Sequence, residues 1–174
     1  MKYYTPTAQE LAAAHDAFTA NEARDLFYRA ATELVDRVIQ GQSSLSVPEA
    51  LAVLLQTWNK AVYQYKKFDN QHFADIEGVV SEHEEILTSY RPRAIATLSD
   101  VETVTIKAIF TRFEEVLGPV GAAKSLHLLV PRFLPLWDRA IAYAYDCSFW
   151  ITSLWTVSSP RRSSSTEDAG KSES

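Results

Sequence analysis

Cys147 is the only cysteine among 174 residues. No disulfide can close within the chain, and no cysteine-based zinc site can be assembled. A reducing compartment fits that usage. The opening residues, MKYYTPTAQE, lack the apolar core of a signal peptide, so the expected location is intracellular, cytoplasmic or nuclear. No segment alternates apolar and polar residues over a convincing length, and glycine is scarce at five residues. Both absences argue against a sheet and for an all-α chain. No apolar run is long enough to span a bilayer, and no motif calls for a cofactor.

What the chain does have is an ordinary globular balance, with 47% hydrophobic and 22% charged residues. Four Trp, eight Phe and eight Tyr are too many for a disordered chain and enough for one continuous core. Net charge is −5 but uneven. Residues 1–90 carry seven Lys/Arg against thirteen Asp/Glu, and residues 91–139 carry seven against five. The mildly basic third is where a polyanionic partner is best accommodated.

Helical periodicity organises the first two thirds. Residues 7–40 read as helix, broken at Thr19-Ala20-Asn21-Glu22, a capping-box pattern. Beyond the break, Phe27, Ala30, Ala31, Leu34, Val35 and Val38 share a face, opposite Asp25, Arg29, Glu33 and Asp36. Gly41 stops that helix. A second capping box, Ser46-Val47-Pro48-Glu49, opens a helix whose stripe is Leu51, Leu54, Leu55, Trp58, Ala61, Val62 and Tyr65. Trp58 belongs to the stripe, so core packing competes with a role in a pocket. Asn59 sits at the stripe's edge and either ties a neighbouring backbone or faces a site. Lys66 and Lys67 suit the negative end of that helix.

Asp69 is placed to cap a short helix through His72, Phe73 and Ile76, and Ser81-Glu82-His83-Glu84 is placed to cap the next. His72, Asp75 and His83 lack the paired spacing of a metal site, and none is expected. Arg91-Pro92-Arg93 reads as a connection whose arginines either contact phosphate or stand as exposed charge. Ser99-Asp100-Val101-Glu102 caps a helix that buries Ile106, Ile109, Phe110, Phe113, Val116 and Leu117.

The special residue types concentrate between Val116 and Tyr145. Gly118 falls just past an apolar helix, where a left-handed residue closes the C-terminus. Pro119 suits the first turn of a new helix. Ala122, Leu126, Leu129 and Val130 share one side of it, and Val120, Lys124 and His127 another. Free amides at such a helix start attract phosphate. Pro131 ends the helix, an apolar link ends at Trp137, and Asp138 stands as N-cap of a further helix.

Leu117-Gly118-Pro119-Val120-Gly121, followed twenty positions after Gly118 by Pro135-Leu136-Trp137-Asp138, resembles the hairpin and catalytic aspartate of the HhH-GPD DNA glycosylases. The resemblance is specific over residues 116–139 and loose over 51–145. It implies a multi-helix orthogonal bundle with a helix-hairpin-helix. It also implies that hairpin amides hold a DNA phosphate while a base is flipped out. The Asp138 carboxylate would stabilise an oxocarbenium-like sugar as the base departs. Two positions differ from the family pattern. Pro119 removes one amide, and the place of the nucleophilic lysine is held by Val120 or Ala123, which implies base removal without lyase chemistry. The implied nucleic-acid contacts are Gly118, Gly121, Lys124, His127, Arg132 and Arg139, with Trp58, Asn59 and Trp137 as possible pocket residues. Asp138 is more often only a helix cap than a catalyst, and Lys124 and His127 read equally as a solvated face.

Residues 1–146 form the expected helical domain. An aromatic segment follows over 147–157, containing Phe149, Trp150 and Trp155 within the run 149–155. It suits a protein partner or a membrane surface. Residues 158–174 are low-complexity and expected to be disordered. The leading functional expectation is DNA binding with glycosylase-like architecture. The competing one is a non-catalytic interaction module.

Overall fold

Of the four Ser/Thr-x-x-Glu patterns expected to open helices, the fold uses those at Ser46 and Ser99 as caps. In the computed structural model, which describes residues 6–21, 25–58 and 60–136, every regular element is helical. Helix α1 covers Ala8–Asn21, α2 Asp25–Ile39, α3 Val47–Trp58, α4 Lys60–Tyr63 and α5 Asn70–Tyr90. A 3-10 turn at Ile95–Thr97 precedes α6, Asp100–Leu129.

The Ser46 and Ser99 boxes form as expected. Glu49 N–H donates to Ser46 Oγ at 3.3 Å, and Ser46 N–H to Glu49 Oε2 at 2.6 Å. At α6, Glu102 N–H donates to Ser99 Oγ, and Ser99 N–H to Glu102 Oε2. Each box satisfies two helix-end amides that have no intrahelical partner. Thr19, by contrast, lies inside α1, and Ser81 lies inside α5, which runs unbroken from its Asp69 cap to Tyr90. Val79, Val80 and Leu87 are all buried, so the apolar stripe passes straight through the Ser81 pattern and leaves no helix end to cap. A box that periodicity did not single out does form, between Thr7 and Glu10 at the head of α1.

Packing shifts two faces from their expected positions. On α2 the residues that meet the body are Ala31 and Val35, flanked by Tyr28, Leu34 and Val38, while Phe27 and Ala30 are exposed. Tyr28 joins the stripe, with its hydroxyl 2.9 Å from His127 Nε2. On the next segment, Tyr65 lies beyond α4 with 92% of its surface exposed. Tyr63 packs inward instead, edge-on to Phe68 at 5.5 Å.

Helix α2 packs chiefly on α3, α5 on α6 and α3, and both α2 and α3 also touch α6. Leu51, Leu54, Leu55, Ile76, Phe113, Leu126 and Phe133 are fully buried where these helices meet. Truncating Phe113 to alanine there costs about 3–5 kcal/mol. Helix α1 contributes no buried residue, and its Leu11 and Phe18 are 57% and 53% exposed.

Candidate nucleic-acid interface

Helix α6 is two helices joined at one residue. Gly118 alone leaves helical torsion angles, at φ 70° and ψ 169°. Positive φ is as expected, but ψ is extended rather than left-handed helical, a region essentially reserved for glycine. Pro119 follows as the first helical residue, where a missing N–H costs nothing. On the near side of the break, the Val116 carbonyl accepts a hydrogen bond from Lys66 Nζ at 2.8 Å. Lys66 thus also serves the end of another helix.

Pro119 and Val120 are exposed, and Gly118 is half-buried. The first turn after the break therefore faces solvent beside the Lys66 ammonium. One turn later the helix is closed in on almost every side. Gly121, Ala122, Ser125, Leu126, His127, Leu128 and Leu129 are all buried, and Lys124 is half-buried. The expected division into two faces is replaced by a helix buried nearly all round, as befits a central element.

His127 lies in that buried run. Its Nδ1 is 3.0 Å from the Leu134 carbonyl and its Nε2 is 2.9 Å from the Tyr28 hydroxyl. A carbonyl only accepts, so Nδ1 carries the proton, Nε2 accepts, and Tyr28 donates. Burial holds the imidazole below its ordinary pKa, partly opposed by the bond to Leu134. The ring also stacks on Tyr28, with centroids 5.7 Å apart. A second pair repeats the pattern, with Tyr63 hydroxyl 2.9 Å from His72 Nε2. Burial raises Tyr63 to about 12 and lowers His72.

The arginines of the Arg91-Pro92-Arg93 link are both built into the fold. Arg91 donates to the Leu128 carbonyl at 3.2 Å and also to Leu129 O and the Asp36 carboxylate, closing the end of α6 onto α2. Arg93 pairs with Glu102 and lies over the Phe133 ring at 4.7 Å. Arg93 and the Ser99 hydroxyl and amide together hold the Glu102 carboxyl down to about 2. Arg132 is exposed, and its carbonyl accepts from Ile95 N–H at 2.9 Å.

Of the residues that the sequence nominates, the structure therefore places Gly118 at an exposed helix start, Gly121 and His127 in the interior, Lys124 between, and Arg132 on the surface. Asn59, Trp137, Asp138 and Arg139 lie outside the described residues, as do the Trp58 side chain and the aromatic run 149–155. Lys66 and Tyr28 are the neighbours of these residues that periodicity missed. Only the contacts of the folded chain identify them. Comparison with family models, with curated protein sequences and with solved structures finds no match for this chain.

Proposed function

We propose that the protein binds nucleic acid through the surface around Gly118. The observation that carries this reading is the exposed helix start at Pro119 and Val120, beside the ammonium that Lys66 places on the Val116 carbonyl. Amides at a helix start and a nearby cation form an environment suited to a phosphate oxygen. Lys66 uses one of its three donors on Val116 and keeps two for a ligand. The mildly basic balance of residues 91–139 favours the same partner.

The resemblance of residues 116–139 to HhH-GPD glycosylases extends the proposal to removal of a base, with Asp138 stabilising the developing sugar cation. A duplex titration by fluorescence anisotropy across salt concentration tests the binding step. Affinity should fall as salt rises, and Lys66→Gln should weaken binding and lower the salt slope by about one. Absence of binding at low salt, or a flat salt response, overturns it. For the chemistry, a panel of damaged-base duplexes should yield abasic product that Asp138→Asn abolishes.

A second reading, a non-catalytic interaction module, is favoured by α1. Its Leu11 and Phe18 lie seven residues apart on one face and are exposed, the pattern of a helix completed by a partner. Replacing both with serine and following self-association or partner recovery separates the two readings.

A further inference from the structure

The Ser81 pattern, which does not cap a helix, faces a groove. A cleft of about 500 Å³ lies between α5, the end of α2 and the start of α3. Val38 and Ile39 line it from α2, and Val47 and Pro48 from α3. From α5 it is lined by Glu77, Val80, Ser81, Glu84, Leu87 and Thr88, a single helical stripe at spacings of three and four. Its volume falls within the range of small-molecule sites.

The charge in this cleft is one-sided. Glu77 and Glu84 are exposed, and neither is ion-paired among the described residues. Glu82 of the same helix, outside the cleft, is held by Arg112 at 3.1 Å. Arg91 lies at the cleft's end but is engaged by Asp36 and by the carbonyls of Leu128 and Leu129. The unmet charge is therefore negative, and it sits over apolar walls.

Spacing decides what kind of cation fits. Seven residues along an α-helix separate Glu77 from Glu84 by about 10 Å. A metal ion gathers several oxygen ligands at about 2.0–2.6 Å, and among the described residues no group of three or more His, Cys, Asp or Glu is placed to hold one. An elongated cation with an apolar middle satisfies both the charge and the walls. We propose that the groove binds a linear aliphatic polyamine, one ammonium on Glu77 and another on Glu84. Its methylenes lie along Val80 between Ile39 and Pro48, and the Ser81 hydroxyl is available to an intervening amine. This site is independent of the reading of Gly118.

Isothermal titration of the full chain with a series of α,ω-diamines, and with spermidine, tests it. Affinity should peak at the chain length whose nitrogens span about 10 Å, the rise of two helical turns. The double substitution Glu77→Gln/Glu84→Gln should weaken binding at least tenfold, while Glu85→Gln, on the same helix outside the groove, should not. Ile39→Ser should weaken the longer diamines more than the shorter ones. Both carboxylates are exposed, so unchanged thermal unfolding of the double variant checks that the fold is intact. Affinity that is independent of chain length, or lost equally in Glu85→Gln, would mean diffuse surface charge and overturn the proposal. Binding that survives the double substitution overturns it as well.

Discussion

The Tyr28 hydroxyl donates to His127 Nε2 across 99 residues of chain at 2.9 Å, pinning α2 to the second half of α6. Tyr28→Phe keeps the ring stack but leaves a largely buried nitrogen without its donor. The expected cost is about 1–3 kcal/mol. It should appear as a lower urea midpoint with an unchanged m-value. An unaltered midpoint would show that solvent reaches Nε2 and that the pair contributes nothing.

Acid should destabilise the fold in a window set by histidine. Burial holds both His72 and His127 below the ordinary value of 6.5. The unfolded chain then binds more protons than the folded one as pH falls below that value. The stabilising contribution is full above 6.5 and is lost as pH drops through the depressed folded values. Urea unfolding at pH 7, 6 and 5 should show declining stability, with a shallower decline in His72→Gln. Glu102 does not interfere in this range, because its contribution is full above 4.5 and is lost only toward about 2.

Two serines in the same sequence pattern should behave differently. Ser99→Ala removes a working N-cap and is expected to cost about 1 kcal/mol. Ser81→Ala changes an exposed position inside α5 and should stay within about 0.5 kcal/mol of wild type. Thermal melts of the two variants side by side decide whether both helix starts are assigned correctly.

A similar contrast separates two glycines, each with open space where a Cβ would stand. At Gly118 the penalty is purely conformational, so Gly118→Ala should destabilise by about 1–3 kcal/mol. Gly78 lies inside α5, and Gly78→Ala should stabilise by about 0.5–1 kcal/mol. Equal effects at the two sites would contradict the backbone break at Gly118.

The all-helical class, the Ser46 and Ser99 caps, and the stops at Gly41 and Gly118 were legible because each rests on chemistry within one turn of chain. What escaped depends on distant partners. Ser81-Glu82-His83-Glu84 carries the same local signal as a real cap, and only the burial of Val79, Val80 and Leu87 on one continuous stripe shows that no helix ends there. His127 looked like the polar edge of an amphipathic helix because Tyr28 and the Leu134 carbonyl, which satisfy it, are remote from its own turn. Arg91 and Arg93 looked like free cations until Asp36 and Glu102 came alongside. Polar residues were hardest to place, since their burial requires a partner that periodicity does not record.

The Lys66 bond ties the carbonyl before the Gly118 break to another part of the chain, so under the proposed function one ammonium would serve both the backbone and a phosphate. A phosphate that shares the Lys66 ammonium leaves the Gly118 torsions in place, whereas one that draws it away removes a support from them. Under the proposed function, any coupling between phosphate binding and the angle between the two halves of α6 would be reciprocal: what binding contributes to one angle, that angle returns to binding. The second half of α6 is held to α2 by Tyr28 and Arg91, and the first half is held to α5 through Phe113 and its buried neighbours, so each half of the broken helix has its own anchor.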